Sequence, residues 1–225
     1  MKEQLQKDFD NIIKNLSLSQ RDTEIKQFYL DNFINKGFPN RRDENWKFSD
    51  LNQIIKKNIG ELSFYNDYTS TNKVDTSVFV DGLEHNKIVF INGRIEKIDF
   101  DYEKKDQIEI IDKSETINKF NNNNSLSDLN NAFTNKSFKI IVKNGYQLVK
   151  PLIIYHITNS DIWSKNINLR LDFELGKDSS LRLIDLYNDT SEKNFLNIFY
   201  NFDLKENAVL KNYKVDKLEN KNIKY

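Results

Sequence analysis

From Lys139 to Asp216 apolar and polar residues alternate in short runs, and the pattern is written three times. The copies are KIIVKNGYQLVKPLIIYHI (Lys139 to Ile157), LRLDFELGKDSSLRLIDLY (Leu169 to Tyr187) and IFYNFDLKENAVLKNYKVD (Ile198 to Asp216). Each is an alternating run, a polar break and a second alternating run. Aligned on the breaks, Leu148 matches Leu181 at an offset of 33, and Leu181 matches Leu210 at an offset of 29. A repeat of strand, turn and strand at this length predicts stacked coils of a β-solenoid. One coil cannot bury its apolar face alone, whereas three stacked at a strand spacing of about 4.8 Å form a prism about 15 Å tall. Asn144 with Gly145, Gly176 with Asp178, and Asn207 suit the corners, because these residue types tolerate tight or left-handed backbone. Alternation does not fix pairing direction, so an antiparallel sandwich of hairpins is the competing arrangement.

Upstream the period becomes helical. Leu5, Phe9, Ile12, Ile13 and Leu16 share one face. A second helix starts after Ser19 or Thr23, carries Ile25, Phe28, Tyr29 and Phe33, and stops at Gly37 with Pro39 just beyond. The segment GFPNRRDENWKFSDL, Gly37 to Leu51, is the densest motif. Asp43 can cap a short turn carrying Trp46, and Ser49 the helix through Leu51, Ile54 and Ile55. Arg41 and Arg42 beside Asp43 and Glu44 read as an anion site or, more commonly in such turns, as a surface ion-pair cluster.

From Gly60 to Glu84 the signal weakens, and the small polar run Tyr68 to Asn72 fits a linker. Lys87 to Ile91 and Arg94 to Phe100 alternate around Asn92 and Gly93, a strong hairpin signal. Ile108 to Ile111 reads as a strand and Asn121 to Asn124 as a polar loop. Ser125 starts a short helix with Leu126, Leu129, Ala132 and Phe133 on its apolar face. Hairpin and helix suit a cap on the open end of the coils. The expected division is a helical region, 1–72, then 73–225, a hairpin and helix cap leading into the β core.

Among 225 residues, 34 are basic and 34 acidic, and this zero formal charge argues against a nucleic-acid partner held by phosphate neutralisation. With no run of membrane-spanning length and no signal-peptide pattern at its start, the chain is expected to be soluble, cytoplasmic and free of membrane contact. It has no cysteine, hence neither disulfides nor thiolate ligands. No catalytic residue or metal ligand is assigned, and no cofactor-binding residue is identified. His156, on the strand Leu152 to Ile157, has no second histidine at ligand spacing and reads as a packed or hydrogen-bonded strand histidine. Asp43 with Glu44 and Asp99 with Asp101 are close in sequence but do not make acid and base pairs, since neighbouring strand residues face opposite ways. No phosphate-binding loop or nucleophile elbow occurs. A carbohydrate-active enzyme on this architecture would need carboxylates clustered on one face and normally an export signal, and neither is evident. A generic interaction scaffold remains the blander alternative.

Taken together, RRDENWKFSDL (Arg41 to Leu51), the INGR turn (Ile91 to Arg94), LNNAF (Leu129 to Phe133), KPLIIYHI (Lys150 to Ile157) and the run from Asn168 through Leu181 resemble the SufB/SufD family of iron–sulfur cluster assembly scaffolds. The resemblance covers essentially the whole chain, in the family's order. It implies a mainly β fold: an N-terminal helical region followed by a right-handed parallel β-helix. It further implies a non-enzymatic subunit that pairs with SufB and works with the SufC ATPase, the iron–sulfur cluster and any flavin belonging only to the assembled complex. Two departures shape the expectation. The chain stops at Tyr225, whereas the family continues through further coils and a SufC-docking helical segment. The β-helix is therefore expected to be incomplete at its C-terminus and prone to self-association, with SufC docking weak or absent. The family's functional histidine falls in that later region, so His85 and His156 do not inherit its role.

Overall fold

The computed structural model describes residues 2–16, 18–64, 76–113, 124–135, 137–159, 162–189, 193–216 and 223–224. The expected linker at Tyr68 to Asn72 and all but the last residue of the Asn121 to Asn124 loop lie outside them.

Helix α1 (Lys2–Asn15) buries Leu5, Phe9 and Ile12, the stripe its spacing predicts. Helix α2 (Gln20–Lys36) starts where the Ser19 hydroxyl accepts the Asp22 amide at 3.1 Å. It stops at Gly37, whose φ of 74° lets its amide close on the Phe33 carbonyl. Helix α3 (Leu51–Asn58) is capped by Asp50, which accepts the Gln53 amide, and not by Ser49. The Ser49 amide instead closes the preceding turn on the Trp46 carbonyl at 2.7 Å. Asp43 likewise does not cap the short Glu44–Trp46 turn, because its carboxylate is drawn back to the Asn40 amide at 2.8 Å.

Two five-stranded sheets follow. Strands β1 (Asn86–Ile91) and β2 (Arg94–Asp99) form the expected hairpin, with Asn92 and Gly93 both at positive φ. The remaining strands are β3 (Ile108–Lys113), β4 (Ser137–Val142), β5 (Leu152–Thr158), β6 (Asn166–Leu175), β7 (Ser180–Asp189), β8 (Phe195–Leu204), β9 (Val209–Asp216) and the short β10 (Ile223–Lys224). One sheet has the order β2-β1-β5-β7-β9 and the other β10-β8-β6-β4-β3. From β4 onward the chain alternates between them; β5 lies parallel to β1, and from β6 each strand lies parallel to the one two places before it. Among the described residues only the β1–β2 and β3–β4 pairs are antiparallel. Within the three copies, pairing is thus parallel, and the hairpin sandwich is excluded.

Alternation decides which face is inward. Ile88, Phe90, Ile154, Leu181 and Leu183 of one sheet meet Ile140, Leu169, Leu171, Phe173 and Leu175 of the other. Leu148 and Leu181 lie in this core with Leu210 partly buried against it, the column predicted from the offsets. A second core joins α1, α2, α3 and helix α4 (Ser125–Phe133), and Phe195 reaches into it from β8. The chain is therefore mixed α/β and not mainly β: its helices bury a core of their own. Helix α4, expected over the end of the stack, lies along β6 and β8 instead. Asn130 donates to the carbonyls of Leu169 (3.1 Å) and Asn197 (2.7 Å), while Asn197 donates back to the Leu126 carbonyl (2.8 Å). A buried amide that satisfies two strands at once fixes the helix to that face.

The corners carry main-chain bonds as well. Gly145 donates to the Lys177 carbonyl at 2.7 Å and Asp178 to the Glu206 carbonyl at 2.9 Å, and Gly145, Asp178 and Asn207 all have positive φ. Gly176 is required for a different reason: a Cβ there would stand 2.6 Å from the backbone nitrogen of Asn144 and 2.5 Å from its Oδ1. Gly176→Ala is expected to cost about 1–3 kcal/mol through this overlap. Gly145→Ala, with nothing within 4 Å of its added carbon, carries only a left-handed backbone penalty of about 1 kcal/mol. Denaturant midpoints of the two variants check the difference.

Candidate functional site

Three polar residues occupy inward positions of the repeats. His156 follows Leu152 and Ile154 on β5, Asp185 follows Leu181 and Leu183 on β7, and Tyr200 lies between Ile198 and Phe202 on β8. The first two come from one sheet and the third from the other, so the side chains meet across the core. His156 Nε2 stands 2.9 Å from the Tyr200 hydroxyl and 3.4 Å from Asp185 Oδ1, and the Tyr200 hydroxyl donates to that same oxygen. The His156 and Asp185 side chains are each 3% exposed. Stacking fixes the imidazole: Phe90 lies on one face at 5.6 Å between centroids and Tyr187 stacks on the ring at 4.8 Å. Burial, and then the Asp185 charge, push the Tyr200 hydroxyl well above its ordinary pKa. Because Asp185 accepts that proton, the Nε2 position of His156 acts as a donor in this arrangement.

The sequence placed His156 on its strand but found neither partner. The available signal was phase: in LRLIDLY and in IFYNF a titratable residue falls where alternation demands an inward apolar one.

The other singled-out residues do not converge. His85 Nδ1 lies 2.6 Å from the Leu83 carbonyl, which can only accept, so Nε2 accepts the Tyr155 hydroxyl at 2.7 Å. Tyr155 in turn accepts the Val80 amide, and the three bonds pin residues 80–85 to β5. Arg41 and Arg42 are exposed, and neither forms an ion pair with Asp43 or Glu44, so the expected ion-pair cluster is absent. Asp99 serves Lys87 at 3.3 Å, Lys97 at 3.6 Å and the Asp101 amide. Burial tends to raise its pKa, but these partners outweigh it and hold the carboxyl below the ordinary range.

Two lysines of α2 clip α4 at its ends. Lys26 donates to the carbonyls of Asn131 (3.3 Å), Ala132 (3.4 Å) and Thr134 (2.6 Å), capping the helix C-terminus, and Lys36 pairs with buried Asp128 at 2.7 Å. Burial lowers the Lys26 ammonium to about 8, opposed by the charge of Asp22. Between that value and 10.5 the unfolded chain holds a proton that the folded chain does not, so stability rises with pH across the window. Lys26→Met is expected to flatten that rise in denaturation midpoints measured from below pH 8 to above pH 10.5.

A groove of about 610 Å³ lies between the β1–β2 turn, β3 and the end of α1, with apolar walls including Leu16, Ile95, Ile110 and Phe138. Its charged lining residues are Arg94 and Asp112, and Arg94 lies 3.5 Å from Glu96. Among the described residues no three His, Cys, Asp or Glu side chains gather, and no helix is long and apolar enough to cross a membrane. No protein-family model matches the chain, and no curated protein matches it.

Proposed function

We propose that the chain is a SufD-like, non-catalytic scaffold of iron–sulfur cluster assembly, its sheets being coils of a right-handed parallel β-helix. One observation carries the reading. Parallel strands alternate between two sheets, and hydrogen bonds continue through the corners that join them, as between Asp178 and Asn207, 29 residues apart, and between Lys177 and Asn144, 33 apart. Coils stacked in this way present edges and faces to other subunits. The INGR hairpin and the LNNAF helix, two segments of the resemblance, have defined structural work here: the turn abuts Ile167 through Gly93, and Asn130 and Asn131 contact the strands beneath. Without cysteine the chain supplies no thiolate to a cluster, and without a phosphate-binding loop no ATP hydrolysis. Its contribution is contact with SufB, which in turn works with the SufC ATPase, and those subunits carry those groups.

Coexpression with SufB and SufC followed by affinity capture tests this. SufB is expected to co-elute, and the isolated chain to show neither ATP turnover nor iron–sulfur absorbance after anaerobic reconstitution. Failure to retain SufB under conditions where SufB retains SufC refutes the partner, and a reconstituted cluster on the isolated chain refutes the scaffold.

A further inference from the structure

We propose that the outer face of β7 and β9 docks an acidic amphipathic helix of a partner protein. Because Leu181, Leu183 and Leu210 point between the sheets, alternation turns Ile184 and Leu186 on β7, and Tyr213 and Val215 on β9, to the other side. Register sets Ile184 beside Tyr213 and Leu186 beside Val215, an apolar square. Tyr213 is 55% exposed and Val215 47%. A parallel sheet ordinarily has both faces covered. On β1 and β5 this face is covered: Val89, Ile153 and Tyr155 are buried against Val78, Phe79 and Val80, with the Phe79 ring 4.9 Å from that of Tyr155. Ile153 pairs with Ile184 and Tyr155 with Leu186, so two apolar rows run from that cover out to Tyr213 and Val215.

Charge selects the chemistry of the occupant. Arg182 and Lys211 form an in-register pair on the same face, next along the strands to Ile184 and Tyr213. Arg182 donates to the Val149 carbonyl at 3.1 Å, and among the described residues neither cation has a carboxylate partner. An apolar square with two positive charges at one end is complementary to an apolar stripe that ends in carboxylates. Dimensions select a helix lying along the strands. At about 10 Å across it covers two strands about 4.8 Å apart. Its residues i and i+4 are about 6 Å apart along the axis, close to the spacing of about 6.6 Å between alternate strand residues. A second copy of the chain fits poorly, because the outward positions of β7 and β9 hold no carboxylate to meet the two cations. The surface follows from the strands alone and depends on neither SufB nor SufC.

The test uses the full chain as bait for a phage-displayed library of short helical peptides with randomised surface positions. Enriched sequences are expected to carry apolar residues at i, i+3 and i+4 with Asp or Glu beyond one end of the stripe. Affinity for the strongest peptide should fall at least about tenfold in Tyr213→Ser. The double variant Arg182→Glu, Lys211→Glu should lose that peptide and select basic ones from the same library. Circular dichroism checks the fold of each variant. Should one fail to fold, a photoreactive group on the peptide decides in the wild-type chain, with crosslinks expected on β7 and β9. No enrichment, enrichment without carboxylates, affinity unchanged in both variants, or crosslinks elsewhere overturns the site. So does a dimer in sedimentation that Tyr213→Ser abolishes, or binding to phosphatidylserine vesicles that the double variant abolishes. None of these readouts involves SufB or SufC, so a failure here is distinct from a failure of the scaffold reading.

Discussion

Leu181→Asp is expected to unfold the chain or lower its stability by at least about 4 kcal/mol. Leu181 is 1% exposed, lies between the sheets, and pairs in register with Leu210. Two losses combine there: the burial of a leucine side chain, about 2 kcal/mol, and the desolvation of a carboxylate without a cation beside it. Asp185, two inward positions along the same strand, shows what the core demands of a carboxylate, since it is placed against an imidazole and a hydroxyl. An Asp at 181 would lie in the apolar core of aliphatic and aromatic side chains that Leu181 shares. Thermal melting reads the effect, and an unchanged melting temperature would remove Leu181 from the core.

The second large effect is expected at Glu103, a buried carboxylate that organises the corner between β4 and β5. Its Oε1 accepts Asn86 Nδ2 (2.7 Å) and the Lys150 amide (3.0 Å), and its Oε2 accepts the Tyr146 hydroxyl (2.6 Å) and the Val149 amide (3.1 Å). Glu103→Gln turns one acceptor oxygen into a donor nitrogen facing two other donors, a loss of about 2–4 kcal/mol. Burial alone would raise the Glu103 pKa, but the Tyr146, Lys150, Asn86 and Val149 donors outweigh it and hold the carboxyl below its ordinary value. The stabilisation is therefore present above the unfolded-state pKa and disappears as pH falls through the folded-state value. Urea midpoints should fall on acidification in the wild type and more shallowly in Glu103→Gln. Parallel acid profiles for the two chains would contradict this account.

What could be read in advance divides along the range of the interactions. Short-range chemistry was legible: the Asn92–Gly93 turn, the Gly37 stop, and the polar breaks at Gly145, Asp178 and Asn207 are dictated by backbone freedom at single residues. The column of Leu148, Leu181 and Leu210 followed from period alone. The cap was misassigned by one residue at Ser49, where Asp50 acts instead, because neighbouring small polar residues compete for the same amides, whereas α4 does begin at Ser125. The place of α4 was not legible, since its apolar stripe fits a helical layer as well as a sheet end. Pairings such as that of Asn130 with Asn197, 67 residues away, decide between them. The His156, Asp185 and Tyr200 meeting was hidden for the same reason: residues 29 and 44 apart become neighbours only through strand register.

The alternation of strands between two sheets also sets an order of assembly. Each repeat strand after the first round finds its neighbour about thirty residues upstream, so the loop closed at every step is the same length however long the stack becomes, and so is its entropic cost. During synthesis each turn of chain meets a finished template as it emerges. The helical layer behaves oppositely. Lys26 must wait for the carbonyl of Thr134, 108 residues later, before α2 has anything to clip. The elements that form fastest in isolation are thus among the later ones to find their place, and the sheets, normally the slow part of a fold, here depend on contacts of shorter range.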